Sequence, residues 1–512
     1  DCFARQREAE RYLRAAETLG VLRAVLTGSF AAYPAKQLEQ GWRHCEFACH
    51  GYAPAAGMEE FRREYREACA IGRSLYDEGL DWLVSWVKAE TKPGEFAVVV
   101  YNALSWRRDD VVRLERKAAF GSRFRLVDGA GREVPYQLSR DGEIMFTARD
   151  VPSMGYRTYY VQSNTAPAAA AAPMTPGSLW DTPLENRFYI LRPLTSGGAL
   201  EAVVDKQDHG RSLFTDRDGL HVGEVFSYLY DGMGAGEQLY LWQPHHASSR
   251  RQSFGPWRCV ESGPVRTVLE SRAESDADIG PAVLRVTAYE ALKKVGFELE
   301  LENVPDTDRL QIRMMFPVNA GSMFGAPKAD GSCCADLSDV RVQYEVPFGV
   351  TTVGGEVLGQ YGRYNDNTAP NDVGWKRRGI ANTEGTNPYG GKNDKNSAIR
   401  PREVQNWISV SSRAQDLSVT ISSGGLGWDY QDSRENAAKS PVLQPVLLCH
   451  SRTCHGDGYI WNQPGAHRFR FSMTSGGAGA EDGRRTAIAA GTPLDARVQE
   501  RRADDAFLPA EF

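Results

Sequence analysis

The fold is decided by two neighbouring stretches of the chain, Val283-Leu-Arg-Val-Thr-Ala-Tyr289 and Val295-Gly-Phe-Glu-Leu-Glu-Leu-Glu302. In both, apolar side chains alternate with polar or charged ones. Because successive side chains of a β-strand point to opposite faces, this period of two predicts strands with one apolar face and one face in water. Such strands are typical of an antiparallel sheet that packs its apolar face against another layer.

The same pattern extends on both sides of these stretches. Short strand-like runs separated by turn residues continue from Ser178 to about Ser475, and the chain of 512 residues contains 50 glycines and 26 prolines. Frequent turn residues favour many short strands over long helices. The sequence therefore predicts a large antiparallel β-super-sandwich over residues 178–475, interrupted by a long polar loop from Gly362 to Ser397.

Residues 1–91 have a helical period instead. Good helix formers are dense in residues 4–19, 38–49 and 58–88, and in the first of these stretches one face carries Tyr12, Leu13, Ala16 and Leu19. Three helices of this length need one another to bury their apolar stripes. A short three-helix bundle is therefore predicted for this part of the chain.

Between the bundle and the large sandwich the period changes at Lys92-Pro93-Gly94. The run Phe96-Ala-Val-Val-Val-Tyr101 and the short strands after it predict a small β-sandwich over residues 92–163. Residues 164–177, rich in alanine and proline, are interpreted as a linker, and residues 476–512 as the C-terminal segment of a truncated β domain. The predicted fold class is α+β, mainly β.

Composition restricts the partners. The chain carries 60 Lys+Arg and 66 Asp+Glu, a net charge of −6, which argues against nucleic acid because such partners favour a basic surface. No apolar run approaches the roughly 18 residues of a membrane span, so a soluble chain is expected. The nine cysteines suggest no disulfide scaffold, and no glycosylation sequon occurs. These features slightly favour the cytoplasm without assigning a compartment.

The sequence contains no HExxH, GxSxG or P-loop motif, but it has two Cys/His clusters. These are His44-Cys45-x-x-x-Cys49-His50 and Cys449-His450-x-x-x-Cys454-His455. Imidazole and thiolate groups suit zinc, so either cluster could supply ligands. Their spacing matches no standard zinc finger, and buried cysteine often serves only as a small apolar residue. Both interpretations stay open at this point.

Several further segments follow one another along the chain. They are Val98-Val-Val-Tyr-Asn-Ala-Leu-Ser-Trp-Arg-Arg-Asp-Asp-Val-Val112, Val151-Pro-Ser-Met-Gly-Tyr-Arg-Thr-Tyr159, Leu184-Glu-Asn-Arg-Phe-Tyr189 with Gly197-Gly198 and Asp205-Lys-Gln-Asp-His-Gly-Arg211, Ser262-Gly-Pro-Val-Arg266, Phe316-Pro-Val318, Tyr344-Glu-Val-Pro-Phe-Gly349 and Gln405-Asn-Trp407. Together and in this order they resemble the helical and β domains of glycoside hydrolase family 38, the α-mannosidases. The first resembles the "NPLSW" strand and turn that opens the family's first β domain, and the third its "ENxFY…GG…DKxxGR" run.

Two segments resemble parts of the family's active site. The turn Cys49-His50-Gly51-Tyr52-Ala53-Pro54 is similar to the family's "HHD" or "FHD" turn, whose His binds zinc and whose Asp contacts sugar. His50 falls on the zinc-ligand position, whereas Gly51 replaces the Asp. The run Leu239-Tyr240-Leu-Trp-Gln-Pro244 resembles the family's "AYxFxP" loop, which places Tyr240 on the sugar-contacting position.

The resemblance implies a zinc-dependent retaining α-mannosidase-like glycoside hydrolase acting on α-mannosides. The family takes its nucleophile and its other zinc ligands from an amino-terminal barrel, which nothing in this chain resembles. We therefore expect no catalytic residue within these residues, one zinc ligand at most, and no hydrolysis by this polypeptide alone. His50 and Tyr240 are expected to face one cleft within roughly 15 Å of each other.

Two other functions are compatible with the same sequence. One is a β-sandwich protein that binds carbohydrate without hydrolysing it, and the other is a structural protein that pairs with further subunits. Coding sequence for a barrel with an Asp nucleophile, continuous with this chain, would favour the enzyme over both.

Overall fold

The structure of the chain is a computed structural model. It describes residues 2–46, 58–163, 177–214, 219–229, 249–274, 278–307, 310–321, 339–353, 386–387, 391–392, 402–430, 440–452 and 460–512. Residues 164–176 of the predicted linker at 164–177, and most of the polar loop at 362–397, lie outside these residues.

Three long helices form the first part of the fold, α1 (Cys2–Thr27), α2 (Ala35–Glu46) and α3 (Met58–Trp86). Leu13 of the predicted apolar face is fully buried between the helices. Two glycines permit this close packing, since a Cβ at Gly41 would lie 2.5 Å from Leu13 Cδ2 and one at Gly72 would lie 3.0 Å from the Leu13 nitrogen. A fourth helix, α4 (Glu481–Gly491), lies near the C-terminus.

The remaining described elements are strands and one short 3-10 helix at Ala118–Phe120. The strands are β1 (Glu95–Tyr101), β2 (Arg108–Leu114), β3 (Phe124–Asp128), β4 (Tyr136–Leu138), β5 (Ile144–Val151), β6 (Tyr156–Ser163), β7 (Ser178–Leu179), β8 (Leu184–Glu185), β9 (Tyr189–Pro193), β10 (Leu200–Asp205), β11 (Arg211–Ser212), β12 (Val225–Leu229), β13 (Arg250–Arg251), β14 (Arg258–Ser262), β15 (Arg266–Ala273), β16 (Ala282–Tyr289), β17 (Val295–Val304), β18 (Leu310–Met314), β19 (Phe316–Pro317), β20 (Val340–Val346), β21 (Gly349–Thr352), β22 (Thr386–Asn387), β23 (Gly391–Lys392), β24 (Arg402–Glu403), β25 (Trp407–Ser412), β26 (Leu417–Ser422), β27 (Gly427–Asp429), β28 (Val442–Cys449), β29 (Ser451–Arg452), β30 (Ile460–Trp461), β31 (Gly465–Gly476) and β32 (Asp495–Val498).

The small sandwich consists of two sheets, in strand order β3-β6-β1-β32 and β2-β5-β4. Its core contains Val98 and Val100 of β1 and Phe146 of β5, all fully buried. The run Phe96–Tyr101, predicted as a buried strand, forms the middle of the first sheet. Burial on both faces explains why this strand is apolar at nearly every position.

The segment 476–512 packs against both the helical bundle and the small sandwich. It forms α4 and then β32, which pairs antiparallel with β1 so that Val98 lies opposite Val498. Beyond β32, the Gln499 Nε2 group donates hydrogen bonds to the carbonyl oxygens of Val84 and Val87, at 2.6 and 2.7 Å. Val84 lies in the last turn of α3 and Val87 directly follows the helix, where carbonyl groups lack the hydrogen bonds of the helix interior. The C-terminal segment therefore joins the helical bundle to the small sandwich.

The large sandwich has a seven-stranded sheet and a ten-stranded sheet around one core. The seven-stranded sheet has the order β13-β12-β18-β28-β27-β24, with β19 also paired to β28, and the ten-stranded sheet has the order β21-β20-β25-β26-β31-β17-β16-β15-β14-β7. A four-stranded sheet, β11-β10-β9-β8, contributes to the same core. All these pairings are antiparallel. Helices followed by antiparallel sheets confirm the α+β, mainly β class.

The alternation that predicted the fold has the expected two faces. Leu284 and Val286 of β16 are fully buried in the core, whereas Arg285 points to the other face. There the Arg285 guanidinium bonds to Glu298 on the neighbouring strand β17 at 2.7 Å and to Glu270 on β15 at 2.9 Å. The predicted wet face is therefore a ladder of paired charges. None of the described helices has the length and apolar character needed to cross a bilayer.

Candidate functional site

The two residues assigned by resemblance, His50 and Tyr240, lie outside the described residues. The structure does describe the elements on either side of them. α2 ends at Glu46 and α3 begins at Met58, so the His50 turn connects these helices. β12 ends at Leu229 and β13 begins at Arg250, so Tyr240 belongs to the connection between two paired strands. The expected separation of the two side chains stays a prediction.

At the end of the bundle next to the His50 turn, His44 Nδ1 lies 2.6 Å from the Glu64 Oε2 atom and joins α2 to α3. This hydrogen bond holds the pKa of Glu64 below its usual value. Cys45 is buried, and the Cys69 thiol donates to the Arg5 carbonyl at 3.3 Å. Burial raises the pKa of Cys69 to about 11, so this thiol is neutral at physiological pH.

The described side chains at this end of the bundle make contacts with one another and with the backbone. His44 is bonded to Glu64, and the Cys69 thiol is bonded to a carbonyl oxygen of α1. Among the residues that the structure describes, no group of three or more His, Cys, Asp or Glu is placed to hold a metal ion. The zinc-ligand assignment of His50 therefore rests on the resemblance.

The second Cys/His cluster is only half described, because Cys454 and His455 lie outside the described residues. His450 is fully buried, and its Nδ1 atom donates to the Thr307 carbonyl at 2.5 Å. Cys449 accepts a weak hydrogen bond from Gln311 Nε2 at 3.5 Å. The described half of the cluster thus serves contacts between strands, in agreement with the structural interpretation.

The end of the bundle packs against the large sandwich. Gly425, in the turn between β26 and β27, has a positive φ of 72°, and a Cβ placed on it would lie 3.0 Å from the Ala4 Cα atom of α1. The end of α2 lies at the same end of the bundle as the start of α1, since Cys45 Sγ of α2 lies 4.0 Å from the Gln6 carbonyl of α1. The last described residue before His50, Glu46 at the end of α2, therefore lies at the end of the bundle that touches the sandwich.

The Tyr240 connection starts from one end of the seven-stranded sheet. Leu229, the last residue of β12, lies opposite Leu310, the first residue of β18. The next residue of β18, Gln311, lies opposite Cys449 at the end of β28. The Tyr240 connection and the Cys449–His450 segment therefore belong to the same end of this sheet.

The same sheet has a buried polar face, which consists of Gln311, Arg313, Asp429 and Gln444. Arg313 and Asp429 are 0% and 1% exposed and form an ion pair with Nη1 and Oδ2 2.8 Å apart. Arg313 Nε also donates to Gln311 Oε1 at 2.6 Å, and Nη1 to Gln444 Oε1 at 3.4 Å. Ile312 points the opposite way, into the apolar core. Paired in this way, Asp429 is a structural anion that Arg313 neutralises.

Sequence reasoning missed the polar face. Its only local signal is the alternation in Leu310-Gln-Ile-Arg-Met314, which resembles that of a strand with one wet face. The structure instead buries the polar side, which is tolerated because each charge has a charged partner.

Several motif residues that resemble family 38 have structural roles. Asn186 Oδ1 accepts hydrogen bonds from the backbone N–H groups of Phe188 and Tyr189, at 2.8 and 2.7 Å, and shapes the turn into β9. Asp205 accepts hydrogen bonds from Lys293 at 2.8 Å and from Ser475 at 2.6 Å. Burial alone would raise the pKa of Asp205, but these bonds outweigh it and lower the pKa. Asp205 thus ties the four-stranded sheet to the ten-stranded one.

The glycines of the same motifs allow a matched prediction. Gly197 has a φ of 90°, and a Cβ on it would lie 1.7 Å from the Gly255 oxygen, whereas Gly210 has a φ of 71° with nothing within 4 Å. Gly210→Ala should cost about 1 kcal/mol from backbone strain alone. Gly197→Ala should cost about 2–3 kcal/mol because the added methyl group also displaces backbone. Denaturant unfolding measures both, and equal costs would contradict the close approach at Gly197.

Comparison with known proteins agrees with the fold described above. No family model matches the sequence, and no curated protein matches it. Two solved structures match along 100% of the chain: an α-mannosidase from Enterococcus faecalis V583, with a TM-score of 0.67, and a protein in the glycosyl hydrolase family 38 from Enterococcus faecalis, with a TM-score of 0.64. The chain has the fold of this part of family 38 proteins.

The family 38 fold extends beyond this chain, which spans 58% and 61% of the lengths of the two solved chains. Sequence identity to each is 13%, so the comparison concerns the fold and assigns no role to a residue. The helical bundle, the small sandwich and the large sandwich all fall within the matched part.

Proposed function

We propose that this chain is the helical and β part of a zinc-dependent retaining α-mannosidase-like glycoside hydrolase that acts on α-mannosides. The observation that carries the proposal is the match of the fold along the whole chain to two proteins described as an α-mannosidase and a family 38 glycosyl hydrolase. The collinear motifs support it independently, because they come from the sequence rather than from the shape of the backbone.

In this proposal Tyr240 contacts the sugar and His50 is one zinc ligand. A retaining glycosidase needs a carboxylate nucleophile and a second carboxyl group about 5 Å away. Both carboxyl groups would come from the family's amino-terminal barrel, and no segment of this chain resembles that barrel. Among the described residues no group of three or more His, Cys, Asp or Glu is placed to hold a metal ion, so no step of the reaction is assigned to zinc.

The described residues would position the site. The contact of α1 with Gly425 holds the bundle end that carries the His50 turn, and β12 holds the start of the Tyr240 connection. A site assembled from separate domains depends on such contacts, since small displacements of positioned groups greatly reduce the rate.

The purified chain of 512 residues should not hydrolyse an aryl α-mannoside, even with zinc added. Material captured from producing cells by an antibody against the helical bundle should hydrolyse it, because that material includes the nucleophile. A chelator should abolish the activity, and zinc should restore it. Colorimetric release of the aryl alcohol measures turnover in each sample.

Two outcomes would count against the proposal. Turnover by the purified chain that disappears on mutating one of its own carboxylates would place the nucleophile in this chain. Captured material that binds mannosides in a calorimeter but never hydrolyses them would favour a carbohydrate-binding module instead.

A further inference from the structure

The hairpin of β20 and β21 ends in an unusual residue. Val346 lies opposite Gly349, so the turn consists of Pro347 and Phe348. Phe348 is fully exposed and has a φ of 65°, a left-handed conformation that a bulky side chain rarely adopts. A large apolar side chain is thus presented to water on a strained backbone.

The base of this hairpin is held firmly. The Glu345 carbonyl accepts a hydrogen bond from the Gln405 N–H at 2.9 Å, and the Glu345 carboxylate accepts one from the Asn406 N–H at 3.1 Å. Tyr344 is buried in the core of the large sandwich. The position of Phe348 is therefore set in advance, which lowers the entropy lost when a partner binds it.

β21 is the last strand of the ten-stranded sheet among the described strands. The Val353 N–H donates to the Val342 carbonyl at 2.9 Å. Hydrogen bonding alternates along an antiparallel pair, so the N–H groups of Gly349 and Thr351 also point toward β20. Those of Val350 and Thr352 point away from it, toward the side on which no described strand pairs with β21.

This edge lacks the usual protection against pairing. Exposed edges generally carry charged side chains that prevent association, yet the eight residues Val346-Pro-Phe-Gly-Val-Thr-Thr-Val353 contain none. Around a twofold axis a residue i of one copy faces a residue j of the other and j faces i, so two charged copies of this short edge would bring like charges close together and repel. An uncharged β21 edge can therefore lie against the β21 edge of a second copy without charge repulsion.

We propose that β21 pairs antiparallel with β21 of a second copy of this chain. Val350 and Thr352 form the new backbone hydrogen bonds, and Phe348 of each copy is covered by the end of the partner's β21. A strand of four residues buries less area than a stable dimer needs, so the dimer is weak and depends on protein concentration. This inference does not depend on the proposed function.

Sedimentation velocity of the whole chain over a wide concentration range tests the proposal. The unmodified chain should shift from monomer to dimer as its concentration rises. Val350→Pro removes an outward N–H and leaves the ladder to β20 intact, and Phe348→Ser removes the apolar tip. Each should raise the dissociation constant at least about tenfold, equivalent to about 1.4 kcal/mol.

Two further variants make the result specific. Phe30→Ser removes another exposed aromatic side chain, 64% exposed and remote in sequence, and should leave the dissociation constant unchanged. Val350→Lys should weaken the dimer through repulsion across the twofold axis, and added salt should partly restore it. A chain that stays monomeric at every concentration, or a dimer unaffected by Val350→Pro, Val350→Lys and Phe348→Ser, overturns the proposal.

Discussion

Asp429→Ala is expected to lower the free energy of unfolding of the large sandwich by about 3–5 kcal/mol. Asp429 neutralises Arg313, and both side chains are completely buried. Removing the carboxylate takes away a negative charge that lies 2.8 Å from the guanidinium in a low-dielectric interior. Denaturant unfolding followed by tryptophan fluorescence measures the change, because the buried Trp428 precedes Asp429 directly.

Two matched variants test the physical reason. Asp81→Ala also removes a carboxylate from an ion pair, but Asp81 is 68% exposed and lies 3.5 Å from Arg497, so the change should stay within about 0.5 kcal/mol. The double variant Arg313→Met, Asp429→Leu removes both charges and should recover most of the lost stability. A double variant as unstable as Asp429→Ala would show that packing rather than the unpaired charge determines the cost.

Asn102→Ala is expected to destabilise the small sandwich by about 3–5 kcal/mol, because it leaves several buried groups without partners. Asn102 is fully buried, and its Nδ2 group donates to the carbonyls of Trp106 and Pro152, both at 2.8 Å. Its Oδ1 atom accepts hydrogen bonds from the Leu104 N–H at 3.1 Å and from Arg108 Nε at 2.8 Å. The Asn102 side chain thus provides hydrogen-bond partners for groups on both sides of the turn.

Two comparisons make this prediction specific. Asn102→Asp keeps the acceptor oxygens but turns a carboxylate toward two carbonyl oxygens, so it should not restore stability. Asn303→Ala, at an exposed asparagine near the end of β17, should change the free energy of unfolding by no more than about 0.5 kcal/mol. The prediction is wrong if Asn102→Asp unfolds at the same denaturant concentration as the unmodified chain.

Local patterns in the sequence were sufficient to predict the secondary structure and the fold class. The helical spacing of Leu13 and Ala16, and the alternation of Leu284, Arg285 and Val286, report directly which face of an element is apolar. The motif containing Asn102 was also recognisable, since a turn of this kind depends on neighbouring residues. Such signals are local because the periods of 3.6 and 2 residues follow from backbone geometry.

The sequence could not predict how the chain returns on itself. β32 pairs with β1 although Val498 and Val98 lie far apart along the chain. Nothing local in Asp495-Ala-Arg-Val498 indicates that its partner is β1. Pairing between distant segments depends on which surfaces the rest of the fold leaves available.

The environment of the polar residues was likewise decided only by the tertiary structure. Arg285 and Arg313 occupy equivalent positions in strands with alternating apolar and polar residues. Arg285 lies on a charged surface ladder, whereas Arg313 is 0% exposed and paired with Asp429 from a strand far along the chain. A strand's own residues determine which side is polar. Whether water or protein covers that side depends on the packing of the whole chain, because burial is a property of the assembled layers.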